Sequence, residues 1–280
     1  MADNKDNRIT VSARMSHRLI EIAEMCRNTA DNTIYSVDDC SARVMADVGC
    51  DHGYVSIYLA QSGIADRVIA MDVRKGPLSG AENNIRDYGL SDRIETRLSD
   101  GLAALEPGNA DSMVIAGMGG KLMMRILEDG DPVRLGIRGA VLQPQSDIDE
   151  FREYLRQKGY FILDEKVILD EGKYYFPMQV SFDGRRSTDR LGREHDYLQE
   201  ATALLTDKTG CTPQTAAIIC NRFGECNILR KDELLRDFCK HGATVTRSIL
   251  TELEGSGHNG RIDALKKELA EIECVLSILD

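Results

Sequence analysis

Asp47-Val48-Gly49-Cys50-Asp51-His52-Gly53-Tyr54 joins a short apolar run, Arg43-Val44-Met45-Ala46-Asp47-Val48-Gly49, to a helically spaced stretch from Tyr54 to Gln61. An apolar run of this length, closed by acidic residues and glycines, reads as a buried strand turning sharply into a helix. The glycines permit a tight turn and a close approach of backbone to ligand. A G-x-G-x-x-G fingerprint would present backbone N–H groups to a pyrophosphate. Here Asp47 stands at the first glycine position and Asp51 crowds the loop, so a pyrophosphate would meet two carboxylates. The pattern disfavours a dinucleotide and suits a ligand with a cationic centre. A capped strand-to-helix turn with no ligand uses the same residue types, so the flanking sequence has to decide.

Outward from this loop, strands and helices alternate. Arg67-Val-Ile-Ala-Met-Asp72 reads as the second strand, followed by a helix that Pro77 opens and Gly89 closes. Ile94 to Leu98, Ser112 to Ala116 and Ala140 to Leu142 are the next strands, with helices at about 119–129 and 147–158. This order predicts right-handed crossovers and a doubly wound, mostly parallel α/β sheet. Phe161 to Leu169 and Tyr174 to Phe182, separated by Asp170-Glu171-Gly172-Lys173, read as a terminal antiparallel hairpin. Ahead of the sheet, Arg14 to Cys26 forms a helix with Leu19, Ile20 and Ala23 on one face, and a polar insertion follows at about 28–41.

Asp183 to Arg193 is charged and aperiodic, which divides the chain into a domain over 1–182 and a helical domain over 183–280. In the tail Ile262, Leu265, Leu269, Ile272, Leu276 and Leu279 step by three and four, a heptad seam. Leu191, Leu198 and Leu205 offer a second seam. With both partners in one chain, the expectation is an internal coiled-coil hairpin and a monomer.

The chain has 280 residues, a net charge of −11 and eight cysteines. The cysteines include no C-x-x-C pair, so reduced thiols and no metal are expected. Met1 to Thr10 is polar, and no stretch approaches the ~20 apolar residues of a membrane span, so the expected location is the cytoplasm. The negative charge opposes a broad nucleic-acid face, because phosphate binding draws on counterion release by basic side chains. Charge is nevertheless read locally. Arg14, His17, Arg18 and Arg27 before the loop, and Arg185, Arg186, Arg190 and Arg193 after Asp183, are the basic clusters available. Without other evidence, solvated surface is the favoured reading of each, because mixed charged surface is the usual case.

An open α/β sheet binds ligands at the carboxyl ends of its strands. Asp72 ends the second strand, where a carboxylate accepts from ribose hydroxyls and repels a 2′-phosphate. Ser99-Asp100-Gly101 adds an acid after the third strand, able to accept from an adenine amino group. Ala116-Gly117-Met118-Gly119-Gly120-Lys121 ends the fourth. It fails as a P-loop, because Leu122 follows the lysine and the glycine spacing is too short. Gln143-Pro144 closes the fifth strand, from which Gln143 reaches toward the same crevice.

These segments resemble the successive motifs of the bacterial tRNA (adenine(22)-N(1))-methyltransferases, a class I group with a Rossmann-like sheet closed by an antiparallel hairpin. The likeness rests on Asp47-Val-Gly49-Cys-Asp51-His52-Gly53-Tyr54, Ala116-Gly117-Met118-Gly119-Gly120, Leu142-Gln143-Pro144-Gln145 and Gly172-Lys173-Tyr174-Tyr175. It runs from about Ser16 to about residue 182. It implies S-adenosyl-L-methionine as cofactor, held by Asp47, Gly49, Asp51, Gly53 and Tyr54 of the first loop. Asp72, Asp100, Gly101, Ala116 and Gly117 complete the implied cofactor set. Gly117, Met118 and Gly119 would position the methyl group and the target base. Arg14, His17, Arg18 and Gln143 would contact tRNA. Neutral adenine N1 carries a lone pair and no proton, so methylation there needs alignment and not a general base. His52 is accordingly read as a positioning or packing residue. Two departures stand out: the insertion at about 28–41, and Phe176 where the resemblance leads one to expect Glu. A methyltransferase for a small molecule or protein, and an RNA-binding protein with a silent pocket, remain open as alternatives.

Overall fold

The computed structural model describes residues 10–31, 42–188, 194–253 and 259–280. Strand β1 (Val44–Val48) runs parallel between β2 (Arg67–Asp72) and β4 (Ser112–Met118), so that Asp47 lies level with Ala70 on one side and Val114 on the other. With β3 (Ile94–Leu98), β5 (Gly139–Pro144), β6 (Phe161–Glu165) and β9 (Met178–Ser181), these form a seven-stranded sheet in the order β3-β2-β1-β4-β5-β9-β6. Only β9 runs against its neighbours β5 and β6. The near-continuous apolar runs of β1, β2 and β5 follow from this, because a central parallel strand is covered on both faces.

One face carries α1 (His17–Asp31), α2 (Tyr54–Gln61) and α3 (Lys75–Asp87), which bury Ile22, Met25, Ile57, Leu59, Ala81 and Ile85. The other face carries α4 (Gly120–Gly130), the short α5 (Pro132–Leu135) and α6 (Ile148–Gln157), with Met123, Leu127, Phe151 and Leu155 in its core. The N-terminal helix begins at His17, later than Arg14, because Val11–Arg14 forms a separate 3-10 turn. Of the insertion expected at about 28–41, residues 28–31 continue α1 and 32–41 lie outside the described residues.

The single hairpin expected after residue 161 is two structures. β6 and β9 join the main sheet, whereas β7 (Ile168–Asp170) and β8 (Lys173–Tyr175) make a separate two-stranded ribbon. Glu171 and Gly172 both have positive φ, 49° and 76°, the two-residue turn that matches strand twist. The ladder breaks at Pro177, which has no N–H to donate. There Val167 and Phe176 drop into the core of the helical unit.

That unit comprises α7 (Tyr197–Thr209), α8 (Pro213–Phe223), α9 (Glu225–Leu229), α10 (Glu233–Leu253) and α11 (Asn259–Leu279). The heptad helix α11 lies chiefly along α10 and only secondarily against α7. This corrects the expected pairing with a Leu191, Leu198 and Leu205 seam. Leu205 is buried and Leu198 partly so, but Leu191 falls outside the described residues. α10 escaped the sequence reading because its buried stripe, Leu235, Cys239, Ala243 and Thr246, is built largely from small side chains.

Asp183–Arg193 separates the two units in sequence but not in packing. Arg152 of α6 and Glu165 of β6 form a fully buried ion pair at 2.6 Å. Arg152 also donates to the carbonyls of Asn221 (2.8 Å) and Arg222 (3.2 Å), while Glu165 accepts from the Cys226 N–H. Arg156 pairs with Glu225 at 2.6 Å and Arg230 with Asp164 at 2.8 Å. Gly224 has φ 86°, and a Cβ there would lie 2.4 Å from Glu165 Oε2, so only glycine lets α9 approach the pair. Among the described residues no helix is long and apolar enough to cross a membrane, and no His, Cys, Asp and Glu group could hold a metal ion.

Candidate active site

A cavity of about 770 Å³ opens at the carboxyl ends of the parallel strands, between α1 and α4. Its floor is the loop after β1. The N–H groups of Gly49 and Cys50 both donate to the Met71 carbonyl at 2.8 Å, tying the loop to β2. Gly49 has φ 77°, and a Cβ there would lie 2.2 Å from Met118 Cε. The backbone therefore calls for glycine here, and any side chain would also displace the end of the methionine that leans over the loop from β4.

Asp72 is buried, yet it lines the cavity. One carboxylate oxygen accepts from the Asp51 N–H at 3.2 Å and the other from the Arg74 N–H at 2.8 Å. Two backbone donors thus fix its orientation at the cavity wall, and the Arg74 guanidinium lies 3.5 Å from one of its oxygens. Beside it Val73 is 60% exposed, an apolar side chain at the cavity wall. The third loop brings Asp100 and Gly101; the Ser99 hydroxyl donates to the Gly101 carbonyl at 2.8 Å and stiffens the turn.

Asp47 sits deeper. Its carboxylate accepts from the Ser56 hydroxyl at 2.6 Å, and burial pushes its pKa up to about 6, with the nearby Asp72 charge adding to the rise. An acid whose pKa is raised on folding stabilises the native state at low pH, and that contribution fades as pH rises. We therefore expect the ligand-free protein to lose stability from this group between pH 4 and about 6. Melting temperatures across that window should fall more for the wild type than for Asp47→Asn, and parallel curves would refute the assignment.

The end of β4 explains a second motif. Ala116 pairs with Gln143 and Met118 with Pro144, so Gly117, at φ 81°, is the extra residue of a bulge. The Met118 carbonyl accepts from the Gln145 N–H at 2.8 Å, and the Gly120 N–H donates to the Ser146 carbonyl at 3.0 Å. A Cβ on Gly120 would lie 2.5 Å from that same carbonyl oxygen. Gly-Met-Gly-Gly and Leu-Gln-Pro-Gln are therefore two sides of one joint.

Arg18 enters the cavity from α1. Its Nη1 donates to Gln143 Oε1 at 2.6 Å, and its guanidinium lies 4.8 Å from the centre of the Tyr175 ring.

Of the residues expected to hold a cofactor, Asp47, Gly49, Asp51, Tyr54, Asp72 and Asp100 line the cavity, as do Gly101, Ala116 and Gly117. Gly53 does not. It packs on α3, where a Cβ would lie 3.0 Å from that of Ala81, and it supplies the φ 74° turn into α2. Gly119 likewise faces Ser146, while Met118 and Gly117 reach the cavity. Gln143 is fully buried and holds Arg18 from behind, its Nε2 donating to the Pro144 carbonyl. Arg14 and His17 are exposed outside the cavity, and Arg14 bonds the Tyr54 side chain. Sequence reading missed Arg74, Arg125 and Gln145 as lining residues. Gln145 stood in a quoted motif, and Arg125 lies one helical turn beyond Lys121.

Comparison with known proteins follows the same lines. A family model described as a methyltransferase domain matches residues 15–178. The tRNA (adenine(22)-N(1))-methyltransferase of Bacillus subtilis (strain 168) is 35% identical over 162 residues, 58% of this chain and 63% of that protein's own length. The crystal structure of the B. subtilis m1A22 tRNA methyltransferase superposes with a TM-score of 0.67 at 26% identity, covering 95% of this chain and 99% of that one. A Streptococcus pneumoniae structure in complex with S-adenosyl-L-methionine superposes with a TM-score of 0.68 at 25% identity, covering 94% and 99%. Because the family match spans more than half of the chain and every residue that lines the crevice, this protein belongs to the methyltransferase domain family.

Proposed function

We propose that this chain transfers the methyl group of S-adenosyl-L-methionine to N1 of adenine 22 in tRNA, the reaction named for its B. subtilis relative. The observation that carries the reading is the buried Asp72 carboxylate, clamped by two backbone N–H groups and open to the cavity. Such a group accepts from two ribose hydroxyls and repels a 2′-phosphate. The cavity volume suits a ligand of this size. Val73 offers an apolar wall to a purine, and Asp47 and Asp51 offer negative charge to a cationic sulfonium and ammonium. Bound there, S-adenosyl-L-methionine supplies an electrophilic methyl group.

The protein's own residues then have three tasks. Gly117 and Met118 shape the wall against which an acceptor base is aligned, because a bulge with no Cβ leaves room for close approach. α1 and α4 close the flanks and limit water. Arg74 is paired with Asp51 and Asp72 at 3.5 Å, so Arg18 and Arg125 are the cavity cations that can counter the negative charge of the chain where a phosphate backbone would lie. They favour a nucleic acid over a small neutral acceptor. No proton has to be removed from neutral adenine N1, so alignment is the main contribution.

Labelled methyl transfer to an unmodified tRNA transcript, followed by nucleoside digestion, tests the reading: 1-methyladenosine supports it. Label in protein or small-molecule acceptors alone would support the competing methyltransferase reading. A further expected result concerns Arg14 outside the cavity and Arg125 at its wall. Replacing Arg14 and Arg125 with Ala should weaken tRNA binding and lower the slope of log K against log salt by roughly 0.7–0.9 per lost phosphate contact. An unchanged slope would remove both from the RNA face.

A further inference from the structure

The Lys173-Tyr174-Tyr175 strand and Phe176 after it divide their side chains between two cores. Tyr175 packs with the core beneath α1 and stacks under the Arg18 guanidinium at 4.8 Å. Its strand partner Ile168 is buried in the same core. Tyr174 and Phe176 point the opposite way, as strand alternation requires. Their rings meet Phe238 of α10 edge-on, with centroids 5.2 Å and 5.3 Å apart, and Phe223 of α8 joins at 6.5 Å. Phe176, which stands where Glu was expected, is buried in this helical core.

The ribbon is thus a thin blade with the crevice arginine on one side and the C-terminal helices on the other. Its own ladder holds three residue pairs, too few for independent stability, so its position depends on the cores that grip it. Lys166, just before the ribbon, ties it further to α1 through Glu21 at 2.9 Å.

We propose that Tyr175 is a positioning residue that sets the Arg18 guanidinium at the crevice, and that the C-terminal helical unit controls its placement through the Tyr174, Phe176 and Phe238 contact. The inference rests on the methyl-transfer reading for its consequence, but not for its geometry. In this arrangement, an RNA that presses on the helical unit moves α10, and α10 moves the ribbon that carries Tyr175. The crevice therefore responds to whether the helical unit is correctly engaged.

The test uses the full chain with Tyr175→Ala, Tyr175→Phe and the conservative Phe238→Leu, each in wild-type and Arg18→Ala backgrounds. A cation over an aromatic face is worth about a five- to thirtyfold factor when partly desolvated. Tyr175→Ala should lower kcat/KM on tRNA by about that much, whereas Tyr175→Phe, which keeps the ring face, should stay near the wild type. In the Arg18→Ala background, Tyr175→Ala and Phe238→Leu should cost little more, because their effect passes through the missing guanidinium. Losses that multiply in that background would overturn the proposal. The Arg18 Nε–H resonance gives a readout independent of activity. Its shift, set by the Tyr175 ring, should change in Tyr175→Ala and also in Phe238→Leu. If the wild type methylates no tRNA, the functional reading fails while this resonance still decides the relay: movement in Phe238→Leu supports it, and an unmoved resonance overturns it.

Discussion

Asp72→Ala is expected to weaken S-adenosyl-L-methionine binding by roughly a hundredfold or more. Hydrogen bonds to a charged group contribute on the order of 1.5–3 kcal/mol each, and the carboxylate has room for two beyond those it already makes. Those it makes come from Asp51 and Arg74 N–H groups of the two loops that frame the cavity. Removing the side chain therefore also loosens the loops, and Asp72→Asn separates the effects. Asn keeps the shape and one acceptor oxygen but loses the charge, so it should bind with intermediate affinity. Titration calorimetry on protein whose melting is unchanged provides the measurement. An affinity within twofold of the wild type for Asp72→Ala would remove the ribose role.

Arg152→Met should destabilise the whole protein by about 3–5 kcal/mol, the cost of leaving a buried charge without its partner. Glu165 is fully buried and would face an apolar side chain, and the carbonyls of Asn221 and Arg222 would lose their donor. Because these groups span the sheet and the helical unit, denaturant unfolding should show both units failing together. Adding Glu165→Leu to Arg152→Met should recover part of the loss, since no unpaired charge then remains. A loss under about 1 kcal/mol for Arg152→Met, with unchanged cooperativity, would show the two units to be energetically separate.

The parallel sheet was legible because β1, β2 and β4 are short apolar runs that end in acid or glycine, and those three ends border the cavity. Asp47, Asp72 and Gly117 could be placed at the cavity this way, since their positions follow from a strand end and a backbone need. Gly53 and Gly119 carried the same signal for a different reason, since Gly53 supplies a positive-φ turn packed on Ala81 and Gly119 lies close to Ser146. Spacing cannot separate a glycine that admits a ligand from one that admits a helix. Gln143 misled similarly: it lies at the right strand end, yet burial turns its amide toward Arg18. The turn of the ribbon was legible in Asp170-Glu171-Gly172-Lys173, whereas the packing of Tyr174 and Phe176 on Phe238 and the buried Arg152–Glu165 pair were out of reach, because each depends on contacts between segments more than ten residues apart. The α10 stripe hid behind cysteine, alanine and threonine.

The most direct test of the methyl-transfer account is single-turnover transfer from labelled S-adenosyl-L-methionine to two transcripts of one tRNA that differ only in having adenine or guanine at position 22. The account predicts label in the adenine transcript, recovered as 1-methyladenosine, and none in the guanine transcript. Equal labelling of the two, or no labelling of either by protein that binds the cofactor, would contradict it.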